Sequence, residues 1–201
     1  MGSIAVFCGS YSGHNPEHMR AATDAGTFLA QAGYDIVYGG GAVGLMGAVA
    51  DAALKAGGRV TGVMPQALVD GEIGHAGLSE MHVVADMHER KAVMASLADA
   101  FLTLPGGSGT LEEISEQWTW AQLGIHRKPC GFLNVRGFYT PLREFIQRTV
   151  TEGFTKPVYA EMLFFSEDIE QVLSGFENYV APPMKWNPTS PRNSGESSAL
   201  R

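Results

Sequence analysis

The sequence predicts an α/β domain built on one parallel sheet, and three observations lead to this fold class. Short apolar runs alternate along the chain with longer segments of helical periodicity, which is the pattern of repeated strand–helix units. The apolar runs lack the in–out alternation of a half-exposed sheet, which indicates strands covered on both faces. Glycine clusters end several of these runs. A doubly wound, Rossmann-like sheet with helices on both faces, in a single domain, satisfies all three observations.

Helix caps and chain breakers define the elements of the first half. Pro16 can open a helix because a first-turn proline forfeits no internal hydrogen bond, and Gly33 closes that helix. Gly57-Gly58 end a second, alanine-rich helix, and Pro65 stops the strand that follows. The elements predicted from these signals are strands at 4–8, 35–38 and 59–64 and helices at 16–32 and 45–56.

The second half is predicted to begin with a long loop at residues 66–80, and loops of this length are usually functional or mobile. Asp86, with Glu89 three residues later, resembles a capping box that opens a helix running through Leu97. Pro105-Gly106-Gly107 break the strand before them. The other elements predicted are strands at 81–85, 100–104, 130–135 and 162–165 and helices at 110–123, 141–150 and 167–173.

Charge and composition exclude several classes of protein. The 201 residues carry 14 Lys and Arg against 21 Asp and Glu, and this net charge of −7 gives no electrostatic footprint for nucleic acid or an anionic membrane. The N-terminus lacks the basic region and cleavage site of a signal peptide, and no apolar stretch approaches the ~20 residues that span a bilayer. We therefore expect no nucleic-acid partner and no membrane segment.

The cysteines and the C-terminal composition bear on the compartment and the domain boundary. Cys8 and Cys130 both lie in apolar runs, which favours buried, reduced thiols in a cytoplasmic protein over a disulfide. After Pro182-Pro183 the chain has almost no apolar residues, too few to offset the entropy of ordering it. The sequence thus predicts one domain at residues 1–181 and a disordered tail at 182–201.

Three glycine clusters follow predicted strands, namely Gly9-Ser10, Gly39-Gly40-Gly41 and Gly106-Gly107-Ser108-Gly109. Open parallel sheets bind ligands beyond the carboxyl ends of their strands, and amides that converge there at a helix N-terminus favour a phosphate. The alternative is that the glycines only turn strands tightly into helices. The first cluster lacks the second glycine of the dinucleotide fingerprint and no Walker sequence is present, which argues against NAD binding and ATP hydrolysis.

Carboxylates follow the third cluster. Thr110 can add a hydroxyl to a bound anion, and Glu113, placed in the first turn of the predicted helix, would lie beside the ligand. The alternative is that Glu112 and Glu113 only complement the helix dipole. Helical spacing predicts that the buried face of this helix consists of Leu111, Ile114, Trp118 and Ala121, with Glu113 on the face of Glu116, Gln117 and Trp120.

Arg90 and Lys91 lie in the first turns of another predicted helix, where two cations oppose its dipole. Such local conflicts are expected at functional sites. Arg90 can bind phosphate or ribose oxygens with a planar geometry that lysine does not reproduce. The alternative is a solvated surface made by Glu89, Arg90 and Lys91.

Together these motifs resemble the LOG (Lonely Guy) family, the cytokinin riboside 5′-monophosphate phosphoribohydrolases. The hallmark P-G-G-x-G-T-x-x-E is met in full from Pro105 to Glu113, and the companion R-K by Arg90-Lys91. Similar segments at 5–10, 38–47 and 119–126 extend the resemblance over nearly the whole chain except the C-terminal tail.

The resemblance implies a Rossmann-like homodimer without a cofactor. Such an enzyme hydrolyses the N-glycosidic bond of nucleoside 5′-monophosphates, such as AMP or cytokinin riboside 5′-monophosphates, to free base and ribose 5-phosphate. The catalytic pair it implies is Arg90 and Glu113. The substrate contacts it implies are Glu72, Arg90, Lys91, Gly106, Gly107, Ser108, Gly109, Thr110, Leu111, Glu112 and Thr119, and the clusters add Gly9, Ser10, Gly39, Gly40 and Gly41 as further candidates for binding the phosphate or nucleotide.

Other functions were weighed against this one. A nucleotide or molybdenum-cofactor carrier on the same fold is the alternative, although a carrier needs no water-activating acid such as Glu113. Amino-acid decarboxylation requires a pyridoxal-bearing lysine, and none of the five lysines has a recognisable cofactor motif. His14 and His18 are separated by Pro16 and have no evident third ligand, so no metal site is predicted.

Overall fold

A computed structural model describes residues 2–69 and 74–185, which form one parallel sheet flanked by helices. The strands within these residues are β1 Ser3–Phe7, β2 Asp35–Tyr38, β3 Val60–Pro65, β4 Glu80–Val84, β5 Ala100–Thr103, β6 Cys130–Leu133 and β7 Leu163–Ser166. The helices are α1 Pro16–Gln31, α2 Gly44–Lys55, α3 Gln66–Val69, α4 Met87–Leu97, α5 Ser108–Leu123, α6 Thr140–Thr151, α7 Pro157–Ala160 and α8 Ile169–Glu177, with a 3-10 turn at Val135–Gly137. The predicted doubly wound fold is confirmed.

The strand order is β4-β3-β2-β1-β5-β6-β7, so the chain builds outward from β1 in both directions. Ala5 in β1 pairs with Val37 in β2 and with Phe101 in β5. The helix after β1 and the helix after β5 therefore lie on opposite faces of the sheet, and a crevice opens between the carboxyl ends of these two strands. The three glycine clusters follow β2, β1 and β5, which are neighbours in the sheet, so they meet at this crevice.

Each face of the sheet has its own apolar core, which explains why the strands lack alternation. Side chains such as Ile4 and Leu102 pack against α1, α2 and α8 on one face. Side chains such as Ala5 and Phe101 pack against α4, α5 and α6 on the other face. Because α4 and α5 cover the same face, residues of their first turns reach the same end of the sheet.

Helix α5 begins two residues earlier than predicted. Gly107 is the extended N-cap residue, with φ −96° and ψ −153°, and Ser108 and Gly109 already belong to the helix. Glycine has a low helix propensity, which masks a helical start at the sequence level. Glu113 consequently lies in the second turn of α5 and not in the first.

Other local differences follow from short or irregular structure. The four-residue helices α3 and α7 were not predicted, and α3 lies within the predicted loop. Asp86 caps α4 as predicted, accepting hydrogen bonds from the N–H groups of His88 and Glu89 at 2.8 and 2.9 Å. In a capping box the carboxylate of Glu89 would accept from the N–H of Asp86. Here it accepts from the N–H of Ala85, one residue earlier. The four-residue helices α3 and α7 are too short to show a helical periodicity, which explains why the sequence does not predict them.

Two predictions fall wholly or partly outside the described residues. Glu72 lies in the segment 70–73, and most of the predicted tail lies in 186–201. The last described residue, Lys185, donates its N–H to the carbonyl of Gln122 at 2.8 Å. Among the residues that are described, no helix is long and apolar enough to cross a membrane.

Gly26 lies where α1 packs closely against α2, and it provides a test of the packing. A Cβ at this buried position would collide with the carbonyl oxygen of Val49 in α2. We expect Gly26→Ala to lower the free energy of unfolding by about 1–3 kcal/mol despite the better helix propensity of alanine, because the helices must move apart. Chemical denaturation measures the change. Asp24→Ala, on the exposed side of α1, is the control and should stay within about 0.5 kcal/mol of wild type; equal effects would refute the close contact.

Candidate functional site

A cavity of about 440 Å³ opens over the carboxyl ends of β1, β2, β3 and β5. Ten of the residues predicted to form the site line it, namely Ser10, Gly39, Gly41, Arg90, Gly107, Ser108, Gly109, Thr110, Glu112 and Glu113. Of the predicted residues that the structure describes, Gly9, Gly40, Lys91, Gly106, Leu111 and Thr119 do not line it. The remaining walls are Cys8, Tyr11, Met46, Met64, Leu68 and Met87.

The N-terminus of α5 forms the polar end of this cavity. No side chain caps the helix there, so the N–H groups of its first turn are free of the usual side-chain acceptor. A Cβ at Gly107 or Gly109 would meet nothing within 4 Å, which places open space in front of both residues. Uncapped amides and the positive end of a helix dipole at an open cavity favour a negatively charged ligand.

Gly9 and Gly106 have a different purpose, which is to let the loops pack together. The N–H of Gly9 donates to the carbonyl of Pro105 at 3.0 Å, and a Cβ at Gly106 would collide with the side chain of Thr110. The N–H of Leu45 donates in turn to the carbonyl of Gly9 at 3.1 Å. Gly9 and Gly106 thus fit the explanation that glycines allow tight turns, whereas Gly107 and Gly109 face open space, where phosphate binding stays a prediction.

Arg90 is held at the centre of the site by backbone carbonyls. Its Nε donates to the carbonyl of Val63 in β3 at 3.0 Å, and its Nη2 donates to the carbonyl of Gly39, just after β2, at 3.2 Å. A side chain at Gly39 would collide with the guanidinium, so this glycine makes room for Arg90. Arg90 is buried, and its solvated-surface alternative is therefore wrong.

Glu113 faces Arg90 across the cavity floor. Nη1 of Arg90 donates to Oε1 of Glu113 at 3.3 Å, and both side chains are buried. Burial raises the pKa of Glu113 to about 7, while the positive charge of Arg90 opposes that rise. A carboxyl group with such a pKa can carry a negative charge or a proton near neutral pH, which suits acid–base chemistry.

The face of α5 that packs on the sheet differs from the prediction. Its buried residues are Thr110, Glu113, Ile114, Gln117 and Ala121, whereas Leu111 is exposed. The prediction placed Leu111, Ile114, Trp118 and Ala121 on the buried face and Glu113 on the opposite one. Ile114 and Ala121 are buried as predicted and Trp118 packs against the apolar core, so the prediction is wrong for Leu111, Glu113 and Gln117. At the start of α5 the helix covers the cavity, and Glu113 is buried there.

Lys91 points away from the cavity, toward α5. Its Nζ forms ion pairs with Glu112 and with Glu116, the latter at 3.1 Å, and its side chain is 6% exposed. Burial alone would lower the pKa of Lys91, but the hydrogen bonds to the two carboxylates outweigh it and raise the pKa above its ordinary value. The ammonium is therefore charged and fully engaged with α5.

Sequence reasoning missed the apolar wall of the cavity. Met46, Met64, Leu68 and Met87 come from four different elements, α2, β3, α3 and α4, and line the same cavity. Two of them lie near predicted site motifs, because Met46 stands five residues after Gly41 and Met87 three residues before Arg90. That adjacency was the available signal. Flexible methionine side chains form an adaptable apolar surface for a flat or branched ligand group.

Comparison with known proteins places this geometry in context. The family model described as "Possible lysine decarboxylase" matches residues 46–176. The chain is 49% identical over 176 residues to the cytokinin riboside 5′-monophosphate phosphoribohydrolase LOG7 of Arabidopsis thaliana, covering 88% of this chain and 81% of the relative. It is 44% identical over 177 residues to the cytokinin riboside 5′-monophosphate phosphoribohydrolase of Rhodococcoides fascians, covering 88% and 89%.

Among solved structures, a molybdenum cofactor carrier protein from Chlamydomonas reinhardtii is similar with a TM-score of 0.65. The match covers 86% of this chain and 98% of that chain, at 19% sequence identity. Similarity at this identity establishes the shared fold and nothing about a shared ligand.

The raised pKa of Glu113 predicts a pH-dependent effect of Glu113→Gln on stability. The pKa in the folded protein, about 7, lies above the ordinary value of 4.5, so ionisation of this group destabilises the fold progressively as the pH rises through that interval. Glutamine mimics the neutral acid at every pH. We expect the stability of Glu113→Gln relative to wild type to rise by about 2 kcal/mol between pH 5.5 and pH 8.

Unfolding by denaturant at the two pH values measures this difference. Glu144→Gln, which removes an exposed carboxylate from α6, is the matched control. A stability difference between Glu113→Gln and wild type that is the same at both pH values would contradict the burial of an ionisable Glu113.

Proposed function

The chain belongs to the family of the cytokinin riboside 5′-monophosphate phosphoribohydrolases, and on that premise we propose that it hydrolyses the N-glycosidic bond of nucleoside 5′-monophosphates. The products are a free base and ribose 5-phosphate. One observation carries the proposal: a buried carboxylate paired with a buried guanidinium shares a single cavity with an uncapped helix N-terminus.

The N-terminus of α5 supplies the phosphate site in this proposal. The amides of Ser108, Gly109 and Thr110 bind the 5′-phosphate, and this remote contact provides binding energy that holds the sugar in place. Glu113 lies five residues after Ser108 on α5, which corresponds to about 7 Å along the helix axis. A ribose 5-phosphate anchored at the helix start can present its anomeric carbon to that carboxylate.

Glu113 then acts where charge develops. Cleavage breaks the bond between C1′ and the base nitrogen, the electron pair leaves with the base, and positive charge builds on the ribose. The ionised Glu113 stabilises that charge and takes a proton from the water whose oxygen bonds to C1′. The departing base takes its proton from solvent, and Glu113 then releases to solvent the proton it took from the water, so atoms and charges balance. Arg90 orients the carboxylate and favours its ionised form.

The apolar wall accommodates the base. Met46, Met64, Leu68 and Met87 line the same cavity as the proposed phosphate site, and a planar purine carrying an apolar substituent can contact them. This arrangement supports AMP and cytokinin riboside 5′-monophosphates as substrates. Of the lysines, Lys91 is bound to two carboxylates and Lys128 donates to the carbonyl of Ala95, which argues against a pyridoxal-dependent decarboxylase.

Base release from AMP and from isopentenyladenosine 5′-monophosphate, followed by chromatography, tests the proposal. We expect release from both monophosphates and much slower release from the matching nucleosides, because they lack the phosphate. Glu113→Gln should lower kcat at least 100-fold while AMP still binds. In wild type, kcat should fall as the pH drops below about 7, where Glu113 takes up a proton.

Glu144→Gln is the control for the loss of a carboxylate and should keep wild-type activity. Tight binding of AMP with no base released from any nucleoside monophosphate would overturn the hydrolase and favour a carrier.

We further propose that the protein is a cytoplasmic homodimer. Buried free thiols at Cys8 and Cys130 support a reducing compartment. Leu111, Ser115, Thr119 and Leu123 follow one another at intervals of four and form an exposed, uncharged stripe along α5. Thr119 lies about 16 Å of helix axis from Ser108, so the substrate contact implied for it fits the cavity of a second copy better than its own.

Sedimentation at micromolar concentration tests the dimer, and we expect a species of about twice the 21.5 kDa chain mass. Leu123→Glu should dissociate it, because a charge placed in this uncharged stripe must be desolvated on pairing. Phe154→Glu replaces an exposed aromatic side chain outside α5 and serves as the control. A wild-type species of 21.5 kDa would exclude the dimer.

A further inference from the structure

Lys91 occupies an unusual position for a residue next to the proposed catalytic arginine. Arg90 enters the cavity, whereas Lys91 turns toward α5 and places its ammonium between Glu112 and Glu116. These two acids lie at i and i+4 on α5, immediately around Glu113. The lysine thus joins α4 to α5 at the turn that carries Glu113.

The geometry points to Lys91 as a positioning residue: by binding Glu112 and Glu116 it fixes α4 against α5 and so sets the contact between Arg90 and Glu113. This inference rests on the proposed function, in which that contact orients the reacting carboxylate. It differs from the role that resemblance implies for Lys91, which is direct contact with the substrate.

Direct contact of Lys91 with a phosphate is disfavoured, because it would break the two ion pairs of the ammonium. Its Nζ would leave two carboxylates, and the side chain of Glu116 is only 24% exposed, so an unpaired charge would remain partly buried. The anion site is also already supplied by the amides at the start of α5. Nothing in the polar end of the cavity needs the lysine as well.

The charges around Glu113 add a second route by which Lys91 acts. Arg90 and Lys91 from α4 lower the pKa of Glu113, and Glu112 from α5 raises it. The thiol of Cys8 in the loop after β1 also lies close enough to sense the Glu113 charge. Removing the Lys91 charge therefore weakens ionisation of Glu113 twice, directly and by leaving Glu112 without its counter-ion.

A double-mutant cycle between Lys91→Met and Glu116→Gln tests the inference. Glu116 binds Lys91 but does not line the cavity, so it reports on the link between the helices and not on substrate contact. We expect Lys91→Met to lower kcat for AMP at least tenfold with KM changed less than threefold. Glu116→Gln should lower kcat about threefold, and the double variant should be no slower than Lys91→Met.

The pKa of Glu113, followed by carboxyl ¹³C NMR, separates positioning from simple charge. Removing the negative charge of Glu116 would by electrostatics alone lower the pKa of Glu113 or leave it unchanged. Loosening the contact with Arg90 would raise it. A raised pKa in Glu116→Gln supports positioning, and a lowered or unchanged pKa overturns it. This readout needs no turnover and applies even where Lys91→Met does not fold.

Calorimetric titration with AMP completes the test. On a Glu113→Gln background, Lys91→Met should change Kd less than threefold, and a weakening of tenfold or more would make Lys91 a substrate ligand and overturn the inference. If wild type releases no base, the proposed hydrolysis is refuted. The positioning role of Lys91 is then still decided by the NMR and calorimetric results, which need no turnover.

Discussion

The guanidinium of Arg90 is the group on which the rest of the site depends, because it connects the ends of two strands, β2 and β3, to the helix α5. Two backbone carbonyls, from Val63 and Gly39, fix its plane, and a glycine at position 39 is what allows it to lie there. With its orientation fixed by backbone, Arg90 presents Nη1 to Glu113 at 3.3 Å. A lysine could not make these contacts together, since its single ammonium lacks the planar array of donors.

The position of Glu113 balances two opposing effects. Burial disfavours its charge and raises its pKa to about 7, whereas the cations of α4 favour that charge. With burial alone the acid would stay protonated near neutral pH, and in water it would be too weak a base to take a proton from water. A carboxyl group tuned between these limits suits a reaction that needs a charged group first and a proton acceptor later.

Much of this site could be predicted from sequence because parallel strands bring their carboxyl ends to one edge. That rule alone brings Gly39, Arg90 and the start of α5 together. The burial of Glu113 and the exposure of Leu111 could not be predicted, because amphipathic spacing assumes an apolar core beneath every turn of a helix. The partners of Lys91 were equally inaccessible, since the distance between α4 and α5 follows from packing on the sheet and from no spacing along the chain.

The fold and the candidate site therefore depend on different parts of the molecule, the sheet for the fold and the side chains of α4 and α5 for the site. A molybdenum cofactor carrier has the same fold at 19% identity, and one fold can serve proteins with different activities. In this chain, two helices on one face of the sheet bring a cation and an acid into a single cavity. Backbone carbonyls at the ends of β2 and β3 fix Arg90, whereas α5 carries Glu113. The distance between the two side chains therefore also depends on how α4 is held against α5, and the buried Lys91 is the residue placed to hold them.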